Sequence, residues 1–267
     1  MVMALVTHTR LFFLGAYLSF IALFSWLRPQ TYFAMKILGP LMSMLFFVLL
    51  GRYVAGNDDA SFYVTGNALH AATVSGIYGV AMSIDGDRWN GTLMYLFGTP
   101  ANRLVLFLGR AFMHVVDGAV GVAMALLWGV LLFDLDLSAA SLPALLATIL
   151  VATLSTSGLG LVLGCLGLIT RNVLFISNLM FVLLWIFSGA NVQLETLPRW
   201  AQGLSQIAPL TRSIAAAREV IGGAGLSEIA PLLGMELFVS LAYGLAGFAM
   251  FRWFEIQARR RGTLEAF

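Results

Sequence analysis

His114 and Asp117 stand three residues apart inside a long apolar run, so on a helix they share one face. Ionisable side chains within such a run are costly in lipid and turn toward a bundle interior or a wet cavity. There they serve a substrate path, a proton-sensitive site or a purely structural polar contact, and all three readings stay open for this pair. Glu236 lies early in a later apolar run, near enough to its outer end to reach lipid headgroups. His8, His70 and His114 are far apart and show no HExxH spacing. The one cysteine, Cys165, sits among apolar neighbours and reads as a small buried hydrophobe. No metal site is expected, and an enzyme buried in the membrane would need more clustered His, Asp or Glu than one pair. The only lysine, Lys36, follows Met35, so the chain has no GxxxxGKS or GxxxxGKT loop to cradle nucleotide phosphates. It is read as a non-enzyme with no cofactor of its own; any ATP and Mg belong to another polypeptide.

The elements that must carry these residues follow from composition. Hydrophobic residues make up 60% of the chain, charged residues 10%, and the mean hydropathy is +0.91. A soluble domain carries roughly 25% charged residues, so this chain cannot clothe a water-facing surface. About 20 apolar residues cross a bilayer as a helix. Six runs qualify, at 33–53, 63–84, 104–133, 142–169, 172–191 and 230–254. A further run, 11–27, follows Arg10 but ends at Trp26-Leu27-Arg28, which is no small-residue cleavage site. It reads as a helix lying in or dipping into the cytoplasmic interface.

Six crossings from a cytoplasmic N-terminus put Arg10, Arg28, Lys36, Arg88, Arg103, Arg110, Arg171, Arg252, Arg259, Arg260 and Arg261 inside. Only Arg52, Arg199, Arg212 and Arg218 then lie outside, which places all 15 basic residues. That asymmetry is the positive-inside pattern, with both termini cytoplasmic. Small residues recur every fourth position at Gly121, Ala125 and Gly129, at Gly160 and Gly164, and at Ser240 and Gly244, which lets helices approach closely in lipid.

Two segments do more than span. In 85–103, Asp85, Asp87 and Arg88 are read as opening a short amphipathic cytoplasmic helix, with Leu93, Leu96 and Phe97 at helical spacing and Gly98, Thr99 and Pro100 ending it. The outer segment 188–229 is long and still apolar, and Pro198 and Pro209 divide it into short helical pieces. These pieces are expected to dip into the outer leaflet without crossing.

These two segments resemble the ABC-2 type permeases, the membrane subunits of ABC exporters of the nodulation-factor, polysaccharide and drug-efflux kind. The resemblance rests on Asp87-Arg88, Gly91-Thr92-Leu93, Thr99-Pro100 and Gly109-Arg110. It continues in Ser188-Gly189, Leu197-Pro198-Arg199-Trp200, Pro209-Leu210-Thr211 and Arg218. Met94 departs from it, since many relatives carry an acidic residue there. The resemblance implies an all-α integral membrane fold of six transmembrane helices. It implies one domain over 1–267, made of an N-terminal interfacial helix (1–30), spans one to five (33–191), an external re-entrant segment (192–229), span six (230–254) and a cytoplasmic tail (255–267).

It implies a multi-pass protein of the bacterial inner membrane that exports a hydrophobic or amphipathic substrate. Its implied partners are a separate ATP-binding subunit, a second permease copy (identical or a close paralogue) and membrane lipid, with no nucleic acid. ATPase coupling would fall to Asp87, Arg88, Gly91, Thr92, Leu93, Leu96, Thr99 and Pro100, and a possible substrate path to His114 and Asp117. The external re-entrant motif would be Leu197, Pro198, Trp200, Pro209, Thr211 and Arg218. An ion-coupled secondary transporter is the competing reading. It would show two similar halves with helices broken at matching positions, and no such repeat is visible.

Overall fold

The computed structural model describes residues 2–23, 28–55, 60–92, 102–170 and 172–261, and all regular structure among them is helical. The order is α1 (Val2–Leu23), α2 (Pro29–Ala55), α3 (Ser61–His70), a π-helical stretch (Val74–Gly79), α4 (Val80–Trp89), α5 (Arg103–Phe133), α6 (Leu142–Thr170) and α7 (Val173–Phe187). A 3-10 turn (Leu194–Thr196) follows, then α8 (Arg199–Ile207), α9 (Thr211–Ile221) and α10 (Leu226–Arg261). Among the described residues, stretches of α2, α5, α6 and α10 are long and apolar enough to cross a membrane. At 15 residues α7 is apolar but short.

The second expected span is one helical path over 61–89, broken in its hydrogen-bond register. Ala71 N–H is shared between the carbonyls of Asn67 and Ala68, and the π stretch follows. Gly76 and Gly79 fall inside that stretch. Such a widened turn re-aims the side chains on either side of it.

The centre of the bundle is α6, which packs against α10, α4, the π stretch, α5, α7 and α9. Its small residues make this possible. A Cβ on Gly160 would collide with the Gly76 carbonyl, and one on Gly158 would press on the Ser240 carbonyl. Gly160, from the four-residue series, thus serves the crossing of α6 with the π stretch, and Gly158 serves that of α6 with α10. α1 lies along α5, with Phe12 meeting Phe112 and Gly109 facing the Phe12 carbonyl. Large apolar side chains on α2 (Phe33, Met42, Phe46, Leu49) and α10 (Phe238, Leu241, Leu245) remain outward, as lipid as solvent allows.

Helix ends follow ordinary capping chemistry. The Asn102 side chain accepts from Leu104 and Val105 N–H to start α5, and Asn172 accepts from Phe175 N–H to start α7. Asp134, at φ 54°, ends α5, and Asp136 Oδ1 then takes Ser138 N–H at 2.8 Å to close the turn. That bond holds the Asp136 carboxyl below its usual range.

The amphipathic helix expected over 85–103 needs a correction. Asp85, Asp87 and Arg88 are the last turn of α4; they do not open a new helix. Gly91, at φ +66°, ends it. Gly91 N–H bonds Arg88 O at 3.1 Å and Thr92 N–H bonds Asp87 O at 2.8 Å, the paired bonds of a Schellman stop. Leu93, Leu96, Thr99 and Pro100 lie outside the described residues, and so does the rest of the expected amphipathic helix.

Candidate functional site

Three helical elements converge on a buried ion pair. Lys36 comes from the second turn of α2, Ser75 from the π stretch, and Asp117 from the middle of α5. Lys36 Nζ lies 2.8 Å from Asp117 Oδ2, and it also donates to Asp117 O at 2.8 Å and Ser75 Oγ at 2.6 Å. Ser75 Oγ donates to Asp117 Oδ2 at 2.6 Å, and the Tyr32 hydroxyl donates to Asp117 Oδ1. Both charges are nine-tenths buried. Gly121 leaves space beside the ammonium, since a Cβ there would stand 3.3 Å from Nζ. Trp128 Nε1 donates to Ile37 O at 3.0 Å and also fixes α5 against α2.

His114 lies on the same face of α5 as Asp117, as its spacing predicts, and is almost wholly buried. Its ring fills the place where Gly79 lacks a Cβ and sits beside Phe20. Neither ring nitrogen has a hydrogen-bond partner among the described residues.

Behind this polar centre lies a groove. A cavity of about 420 Å³ opens between α2 (Gly39, Pro40, Phe46, Phe47), the α3–π path (Asn67, His70, Val74) and α7 (Phe181, Trp185). Its wall is aromatic. The His70 ring stacks on Trp185 at 5.4 Å and meets Phe181 edge-on at 4.7 Å. Two polar atoms there, Asn67 Oδ1 and Trp185 Nε1, have no hydrogen-bond partner among the described residues. Val74 in the groove and Ser75 on the ion pair are neighbours in the π stretch, so the two sites share one wall. Ser75, Asn67, Phe181 and Trp185 were not singled out by sequence reasoning, and Lys36 and His70 entered it only in the charge count and the searches for a phosphate loop and for metal spacing. The available signal was Lys36, a solitary lysine inside an apolar helix. It belongs to this interior pair.

At the C-terminal end of α4, Asp87 pairs with Arg110 of α5, and Arg110 Nη1 also donates to Ser83 O at 2.9 Å. Thr92 Oγ1 donates to Asp87 Oδ1 at 3.0 Å. Arg88 stands 3.8 Å from Asp85. Asp87, Thr92 and Arg110 therefore tie the end of α4 to the start of α5.

On the other side, Leu197 and Pro198 turn the chain into α8, where the Pro198 carbonyl accepts Ala201 and Gln202 N–H. Trp200 projects outward beside Phe187. Pro209 precedes α9, and Thr211 Oγ1 donates to Ala208 O at 3.1 Å. Arg218 Nη2 donates to Gly189 O at 2.8 Å and Phe62 O at 3.1 Å, with its guanidinium 3.7 Å from the Phe62 ring centre. One planar group thereby joins α9, the Ser188-Gly189 turn and the start of α3. Gly66 lets α3 approach this turn, because a Cβ there would overlap the Ala190 carbonyl. Arg218→Lys is expected to destabilise nearly as much as Arg218→Ala. An ammonium cannot both stack and serve two carbonyls, and losing charge-assisted hydrogen bonds of this kind costs about 2–4 kcal/mol. Thermal unfolding in detergent measures it, and a wild-type midpoint for Arg218→Lys would refute it.

Glu236 differs from its sequence reading. It is fully buried and does not reach the headgroups. It accepts from Ser155 Oγ of α6, from Leu210 N–H at 2.6 Å and from Arg212 N–H at 3.1 Å.

The fold and this interior define the class: an all-helical, multi-pass membrane protein with a polar centre and short helices packed at one end. Residues 11–221 match the ABC-2 type transporter family, and the chain belongs to it. Two relatives, from Escherichia coli strain K12 and Escherichia coli O157:H7, carry the name "Probable multidrug ABC transporter permease YbhR". Each is 26% identical over 199 residues, covering 73% of this chain and 54% of the relative. The chain thus spans about half the length of these curated relatives.

Proposed function

We propose that this chain is the membrane-spanning permease subunit of an ATP-driven ABC exporter that moves a hydrophobic or amphipathic molecule (a lipid, glycolipid or drug) outward. Family membership supports the permease role. The observation that carries the substrate class is the aromatic groove between α2, α3 and α7. A groove walled by aromatic and other apolar side chains suits a largely apolar ligand. The relatives' multidrug name is in keeping with such a groove. ATP and Mg bind a separate ATPase subunit, because this sequence holds no phosphate-cradling loop. A second permease copy, identical or paralogous, completes the complex. The chain crosses the bacterial inner membrane six times, with α3–α4 and α7 as its second and fifth crossings and both termini cytoplasmic. Asp117, bonded to Ser75 beside Val74 of the groove, acts on the path through that shared wall, with His114 one turn before it on the same face of α5.

The test purifies the chain from its own membranes with whatever ATPase accompanies it and reconstitutes the complex in vesicles. Vanadate-sensitive efflux of a fluorescent amphiphile is expected. Trp185→Ala is expected to raise its apparent KM about tenfold or more while leaving basal ATP hydrolysis unchanged, since truncating a buried aromatic contact removes binding free energy. Efflux driven by an ion gradient without ATP would refute the reading.

A further inference from the structure

Glu236 lies ten residues into α10, about 15 Å along the helix at 1.5 Å per residue. No packing need explains a carboxylate there, since an apolar side chain of that size would fill the space without the cost of burying charge. Its partners explain it. α9 begins without a side-chain cap of its own, and its first residue follows Leu210, which takes a left-handed backbone at φ +74°. Branched side chains rarely adopt that backbone unless their surroundings impose it. The Glu236 carboxylate receives the N–H groups of Leu210 and Arg212, which flank that start, and so supplies from α10 the cap that α9 lacks. Ser155 adds a donor from α6, the central helix. α9 then reaches α3 and the Ser188-Gly189 turn through Arg218. A carboxylate on one spanning helix, steadied by a second, thus sets the position of the short helix that packs across the end of the bundle.

We propose that Glu236 is a positioning residue, the strut through which movement of α10 and α6 is passed to α8 and α9 at the exit side. The strut itself stands on the geometry; its use in transport rests on the exporter reading. α9 follows the two spanning helices because its N-terminus is bonded to them. Removing the bond frees it to move alone.

The test places a reporter cysteine at Ser213, a buried α9 residue, in a Cys165→Ser background and follows labelling by an impermeant maleimide. Glu236→Leu is expected to label roughly tenfold faster than its parent, the factor that loss of one helix cap corresponds to. In the assembled complex, the parent's labelling rate is expected to differ between the nucleotide-free and the ATP-plus-vanadate states. Glu236→Gln keeps the shape and the oxygen that takes Ser155 and Leu210, so its basal rate should stay within about threefold of the parent and much of the nucleotide response should survive, while Glu236→Leu loses that response. A structural filler would leave the response intact in both. Unchanged basal labelling in Glu236→Leu, or a full nucleotide response in Glu236→Leu, would overturn the proposal. A parent without any nucleotide response would instead remove the exporter reading, and the first arm alone would then decide the strut.

Discussion

Asp117→Asn and Lys36→Met should each abolish transport and lower thermal stability, while the double variant Lys36→Met with Asp117→Leu should regain stability without regaining transport. Either single change leaves one charge buried without its counter-charge. Breaking a buried pair in this way costs about 3–5 kcal/mol. Removing both charges takes away the desolvation cost with the attraction, so an apolar pair of similar volume is tolerated. Stability and function should separate in the double variant because of where the pair sits. Ser75, which bonds both charges, lies in the π stretch next to Val74 of the groove, and Gly39 and Pro40 of the groove follow Lys36 by three and four residues. A change of bonding at Asp117 therefore reaches the groove wall directly. Tyr32→Phe removes one of several donors to the same carboxylate and should cost only about 1–2 kcal/mol. Asp134→Asn, at the exposed end of α5, should change stability by no more than about 0.5 kcal/mol. Unfolding midpoints and vesicle transport decide the matter. Wild-type transport by the double variant would reduce the pair to a packing element.

How much of this was legible depends on how local the signal is. Lipid demands about 20 apolar residues per crossing, and that demand is met within each segment, so the positions of α2, α5, α6 and α10 follow from hydropathy. The proline-bounded helices α8 and α9 follow from Pro198 and Pro209 in the same way. The π stretch does not. An apolar run over 63–84 reads the same whether its carbonyls meet the fourth or the fifth residue onward. The pairing of Lys36 with Asp117 joins residues 81 positions apart, and that of Glu236 with Leu210 joins a span to a loop; neither leaves a mark in periodicity. The misread end of α4 had a usable signal. Charges after an apolar run suggested a new helix, but a glycine two residues past Trp89 is the ordinary sign of a helix stop.

Substitutions at that stop should uncouple ATP hydrolysis from transport. Gly91 holds φ +66°, the left-handed angle at which the chain leaves α4. Alanine there strains the backbone by about 1–2 kcal/mol. Proline cannot adopt it, because its ring holds φ near −65°. Gly91→Pro must therefore break the paired bonds from Gly91 and Thr92 N–H and redirect the segment. Asp87→Ala acts from the other side, releasing both the Arg110 guanidinium and the Thr92 hydroxyl. Arg88→Glu keeps the backbone and reverses a charge beside Asp85, so it also tests any acidic group on the ATPase, where like charges can cost several kcal/mol. All three sites lie at the end of a span and leave the apolar runs untouched, so membrane insertion should survive. The expected result in reconstituted vesicles is transport reduced more than tenfold, with ATP hydrolysis persisting but no longer responding to substrate. Gly91→Ala should fall between Gly91→Pro and the parent, because its strain is smaller and its N–H is kept. Normal transport by both Arg88→Glu and Gly91→Pro would remove this end of α4 from the coupling path. The ATPase contact would then belong to the N-terminal segment or to Arg171, between α6 and α7.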